Sequence, residues 1–159
     1  MRTLKLTAKD FKTVDGCKEY TGKEDLTNFE GNLEFEADLG WMKFGNIKVS
    51  GYILIEAGSW IEAGSSIEAV NGGITCGQQL TCKGLLKFKL RLFAGVSPYS
   101  CQENANNTVT CGKLEGNVVY GKVVETGLPD EPKETITIGG IEYDKEEVEQ
   151  RLKDIKPVK

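Results

Sequence analysis

Between Tyr52 and Leu92, large aliphatic residues return every sixth position: Ile55, Ile61 and Ile67, then Ile74, Leu80, Leu86 and Leu92, with one extra residue at Asn71-Gly72-Gly73. This beat matches neither the ~3.6-residue period of a helix nor the turns every ~8–12 residues of a hairpin meander. It matches short strands joined by tight corners. Within each unit the pattern alternates, Ser59, Ile61 and Ala63 against Trp60 and Glu62, then Ser65, Ile67 and Ala69 against Ser66 and Glu68. Strand geometry turns the first set inward and the second outward. Gly58, Gly64, Gly77 and Gly84 stand where corners are needed.

The stretch from about Ile55 to Leu80 resembles the hexapeptide-repeat class of parallel β-helices, in which three units make one roughly triangular coil. Two units match its pattern well and the later ones more loosely. The resemblance implies a mainly β fold, a short parallel β-helix, and with the extra residue it sets one coil at 19 residues. Ile55 is then expected on Ile74, Ile61 on Leu80, and Ile67 on Leu86. The same offset puts Ala57 over Cys76 and Ala63 over Cys82, so these cysteines read as small core residues. Leu33, Phe35, Ala37, Leu39, Ile47, Val49 and Ile53 continue the alternation upstream as earlier, broader rungs.

Downstream, Leu86, Phe88, Leu90 and Leu92 alternate with Lys87, Lys89 and Arg91 and read as one longer strand, followed by a polar loop over 96–112. Residues 1–125 are thus expected to form the β-helix domain, with irregular N-terminal strands. Residues 126–133, which hold two prolines, form a linker. In 134–159 the pattern predicts a β-hairpin turning at Gly139-Gly140 and then an α-helix. Asp144 and Glu147 have capping-box spacing, and Val148, Leu152 and Ile155 make one apolar stripe. A helix with three anchors is not stable alone. Its expected role is to cap the solenoid or join two copies.

Composition narrows the chemistry. The chain has 159 residues, 19 of them glycine and none histidine, and a formal net charge of −4. The missing histidine removes the commonest general base, the Ser-His and Cys-His pairs and every His-containing metal site. No phosphate-binding GxxxxGK[ST] or strand-led GxGxxG occurs, and Asp10, Asp15 and Asp25 lack EF-hand spacing. Five cysteines without a CxxC, in a chain with no apolar N-terminal stretch, read as reduced structural thiols in a cytoplasm; the alternative is a Cys101–Cys111 bridge or a site with distant ligands. No run approaches ~18 apolar residues, so no membrane span is expected. Neither a cofactor nor a metal is expected.

Two surfaces are candidates for binding. Residues 19–38 carry seven acids against Lys23, whereas 83–91 carry Lys83, Lys87, Lys89 and Arg91 and no acid. Lys87, Lys89 and Arg91 form a basic strip, either the wet face of a half-buried strand or a meeting point for an acidic partner. The outward Tyr52, Leu54 and Trp60, with Trp41 one coil before Trp60, form an apolar candidate for self-association or partner binding. Net acidity disfavours direct nucleic-acid binding.

The runs Asn28-Phe29-Glu30-Gly31-Asn32-Leu33, IEAGSWIEAG and Lys89 to Gly95 resemble a group of phage and prophage proteins of Gram-positive bacteria, and ITIGGIEYDKEEVEQRL resembles short C-terminal modules of small phage proteins. The resemblance carries no catalytic motif. It implies a phage or mobile-element origin and action in the bacterial cytoplasm. There the chain is expected to be a non-enzymatic, homo-oligomeric binder that blocks or sequesters a host protein or ribonucleoprotein, such as a defence-system component. The alternatives are a structural or assembly piece of a phage particle and, third, a hexapeptide-repeat acyltransferase, which the missing histidine disfavours.

Overall fold

Short alternating runs cannot bury a core alone; here each pairs in parallel with the run one circuit earlier. The computed structural model describes residues 1–96, 106–129, 135–138, 141–144, 148 and 150. They are mainly β, in two compact units, Met1–Leu128 and Pro129–Lys159.

The first unit opens with β1 (Thr3–Leu6), a 3₁₀ turn over Ala8–Asp10 and the antiparallel pair β2 (Phe11–Val14) and β3 (Cys17–Tyr20). One circuit follows as β4 (Asn32–Phe35), β5 (Gly40–Phe44) and β6 (Ile47–Val49), and another as β7 (Ile53–Ile55), β8 (Ser59–Ala63) and β9 (Ile67–Ala69). A third comprises β10 (Ile74–Cys76) and the nine-residue β11 (Leu80–Phe88), which spans two ladders. Next come β12 (Leu92–Ala94), β13 (Thr108–Glu115), β14 (Val118–Tyr120) and β15 (Lys122–Glu125).

The chain visits three parallel ladders in the same order. The first is β1-β4-β7-β10-β12-β14; the second runs through β3, β5, β8, β11, β13 and β15; the third joins β6, β9 and the second half of β11. Inward side chains stack along each ladder. Leu33, Ile53, Ile74 and Leu92 fill the first, Met42, Ile61, Leu80 and Val109 the second, and Ile47, Ile67 and Leu86 the third, all buried. At the N-terminal side Phe35 meets Phe44 edge to face at 5.7 Å, and Phe11 packs on Phe44 at 6.1 Å and Tyr20 at 5.9 Å.

The expected stacks hold in two ladders and shift in the first. Ile61 pairs with Leu80, Ala63 with Cys82 and Ile67 with Leu86, but Ile53, not Ile55, lies beside Ile74, and Ile55, not Ala57, beside Cys76. The cause is unequal corners. From Ile53 in the first ladder to Ile61 in the second is eight residues, but from Ile74 to Leu80 only six, so the first ladder runs 21 residues per circuit there while the other two run 19. Cys76 remains a small buried residue, now between Ile55 and Ala94.

Two further expectations are corrected. The strand expected to continue to Leu92 ends at Phe88, and Leu90 is 59% exposed, because Lys89 and Leu90 turn to donate their amides to the Gly72 carbonyl at 3.1 and 3.0 Å. The expected loop over 96–112 gives way to strand from Thr108, whose in-register pairing with β11 and β15 buries Val109 and Cys111; residues 97–105 lie outside the described ones.

In the second unit β16 (Thr135–Ile138) and β17 (Ile141–Asp144) pair antiparallel, with Ile136 opposite Tyr143. The predicted α-helix is not seen as an element: Val148 and Gln150 have helical backbone, and Leu152 and Ile155, like Gly139 and Gly140, lie outside the described residues.

Candidate functional site

On the outer side of the first ladder, Leu54, Thr75 and Phe93 stand in register across β7, β10 and β12. Tyr52, Gly73 and Arg91 precede the same three strands at equivalent positions. The middle rung is therefore small and its neighbours large. Gly73 and Thr75 form the floor of an open groove of about 750 Å³, with Tyr52 and Leu54 on one wall and Arg91 and Phe93 on the other. Lys89 and Leu90, projecting from the corner folded over Gly72, complete the rim.

The groove is charged on one side only. Among the described residues the side chains of Lys89 and Arg91 have neither an ion pair nor a hydrogen bond. On the opposite wall the Tyr52 hydroxyl donates to Glu34 Oε1 at 2.5 Å, which raises the Tyr52 pKa and fixes the ring. Lys87, the third member of the basic strip, belongs to a different ladder. Its Nζ lies 2.9 Å from Glu115, which also meets Lys113 at 2.9 Å. The two lysines hold the Glu115 carboxyl at about 2, and Glu115 in turn raises the Lys87 pKa.

The two candidate surfaces are thus recombined. Tyr52 and Leu54 join Lys89 and Arg91 in one groove, whereas Trp41 and Trp60 pair side by side in the second ladder. Trp41 is satisfied locally, its Nε1 donating to Glu62 Oε2 at 3.2 Å and its ring lying under Lys43 Nζ at 4.3 Å. Of the third candidate group, Val148 is half-buried, and Leu152 and Ile155 lie outside the described residues. Three contributors, Gly73, Thr75 and Phe93, carry no sequence signal until the first ladder has its correct register, and Leu90 reads as a strand residue until the turn onto Gly72 is seen.

Cys17, Cys76, Cys82 and Cys111 are buried free thiols. Burial pushes Cys76 and Cys82 up to about 12 and raises Cys111, so all three are protonated at neutral pH. Peptide mapping after iodoacetamide treatment of the native protein at pH 7.5 is expected to find these three unlabelled, with full labelling in denaturant. Rapid native labelling of Cys76 or Cys82 would contradict the packing. Among the described residues there is no group of three or more Cys, Asp or Glu side chains placed to hold a metal ion, and no helix is long and apolar enough to cross a membrane.

Compared with protein-family models, curated proteins and solved structures, the chain matches none, and the groove's chemistry must be taken from its own residues.

Proposed function

We propose that the protein is a non-enzymatic binding protein on a parallel β-helix scaffold, and that the groove over Gly73 and Thr75 is its recognition surface. The single observation behind this is the convergence of half-exposed apolar walls with two cations unpaired among the described residues on one sheet face. Exposed apolar surface beside unneutralised charge is the composition of a partner site. Three ladders revisited in a fixed order support the β-helix scaffold. A chain without histidine, whose thiols at Cys76 and Cys82 stay protonated, favours binding over catalysis.

The resemblance to phage and prophage proteins points to a partner in the bacterial host cytoplasm, a protein or ribonucleoprotein whose action is blocked or sequestered. The bland alternative, an assembly piece of a phage particle, needs no such partner. The test is affinity capture with the full chain from a lysate of a Gram-positive host, with bound proteins identified by mass spectrometry. A stoichiometric host protein, whose own activity falls on adding the purified chain, is expected. Retention of nothing, with recovery of the protein in purified virions, would instead assign it to the particle. Calorimetric binding of an acyl carrier would return the acyltransferase to contention.

A further inference from the structure

We propose that the groove receives an aromatic side chain of the partner protein flanked by carboxylates: the ring enters between Leu54 and Phe93, and the carboxylates meet Lys89 and Arg91. This rests on the binding function proposed above and names the partner chemistry of that site.

The ring follows from strand spacing. Adjacent strands lie about 4.8 Å apart, so Leu54 and Phe93, two steps apart across β10, stand on backbones about 9.6 Å apart. Only Thr75 rises between them. One planar ring fills such a slot, with an aliphatic wall on one side and the Phe93 ring on the other, within the ~4.5–7 Å separation that aromatic pairs prefer. A bulkier branched group would meet both walls before reaching Thr75, and a smaller one would leave the slot wet.

The carboxylates follow from the asymmetry of the rim. Lys89 and Arg91 line the groove and have no ion pair among the described residues, whereas Lys87 of the same basic strip meets Glu115. Glu34 on the far side, held by Tyr52, repels an anion and so sets one orientation. The Arg91 guanidinium suits a planar, two-oxygen acceptor.

The groove's openness argues for a side chain delivered by a polypeptide. Free small ligands occupy sites that enclose roughly 70–90% of their surface, and a notch open along one sheet face cannot do so. A protein segment crossing the rim needs only its anchor residue buried. Nucleic acid has the same two chemistries, a flat base and an anion. Two unpaired cations on a chain of net charge −4 make a weak phosphate track.

The test is an NMR titration of the ¹⁵N-labelled full chain with three capped peptides, Gly-Glu-Trp-Glu-Gly, Gly-Lys-Trp-Lys-Gly and Gly-Glu-Ser-Glu-Gly. The first is expected to move amide signals at 52–54, 73–75 and 89–93, and the other two to bind at least about tenfold more weakly. Thr75→Trp fills the slot with an outward side chain; it is expected to keep the melting temperature and abolish the shifts. Equal response to the lysine peptide, shifts centred elsewhere, undiminished binding by Thr75→Trp, or tighter binding of an octathymidylate would each overturn the proposal. If the peptides fail at the groove while the full chain still retains a host protein, the ring-and-carboxylate assignment falls and the binding function stands. If nothing is retained, the binding function falls too.

Discussion

Gly72→Ala is expected to lower the melting temperature by roughly 6–12 °C, whereas Gly64→Ala, at another corner of the same circuits, should leave it unchanged or slightly raised. A methyl group at Gly72 would lie 2.5 Å from the Gly51 carbonyl carbon and 2.5 Å from the Tyr52 Cα. Both are backbone atoms of the preceding circuit, so no side chain can swing aside. Relief requires β7 and β10 to part, and the Gly72 carbonyl, which anchors the Lys89 and Leu90 amides, moves with them. Strain of this kind belongs with the larger single-site effects, about 3 kcal/mol. At Gly64 the nearest atom to an added methyl group is the Phe44 carbonyl oxygen at 3.8 Å, an ordinary contact. Circular dichroism melts of the two variants read the difference. Equal losses would mean that stacked corners do not hold these circuits at their observed spacing.

Lys89→Glu combined with Arg91→Glu is expected to weaken capture of the host partner by about 100-fold or more, with the melting temperature unchanged. Both side chains project from an exposed corner without partners among the described residues, so reversing them breaks no internal contact. Surface changes of that kind stay within about 0.5 kcal/mol of wild type. Across an interface, each reversal replaces an attraction with a like-charge contact, and losing such pairs costs about 2–5 kcal/mol. Lys87→Glu supplies the comparison. Its charge is already engaged by Glu115 on another ladder, so capture should change little although the strip contains all three cations. Biolayer interferometry with the identified partner separates the two. Equal sensitivity to Lys87→Glu would shift recognition from the groove to the strip as a whole.

How far the sequence speaks depends on which physical property carries the message. Alternation reports parity, so Ile61, Ile67, Leu80 and Leu86 were legible as inward residues, and each is buried. Parity survives a two-residue slip. Ile53 and Ile55 are both inward, and pairing either with Ile74 satisfies the pattern, so periodicity cannot fix which rung lies on which. That choice belongs to corner length, which varies here without disturbing the strands. The groove depends on this one choice. At an offset of 19, Leu54 would face Gly73; at the observed 21 it faces Thr75, and Tyr52 and Arg91 flank Gly73. Leu90 fails for another reason: the strand expected to run through it is ended by two backbone hydrogen bonds to the Gly72 carbonyl, which turn the chain. The β2–β3 hairpin did carry a local signal. Asp15-Gly16, both at positive φ, is a strong two-residue turn, and its effect was hidden within a stretch read only as irregular strands.

Hydrogen–deuterium exchange of the full chain, alone and saturated with its captured partner, tests the central claim most directly. Partner-induced protection is predicted in peptides covering 52–54, 73–75 and 89–93, the three segments that the register brings together as one groove. Protection confined to the ladder of Trp41 and Trp60, with those three segments unchanged, would contradict it.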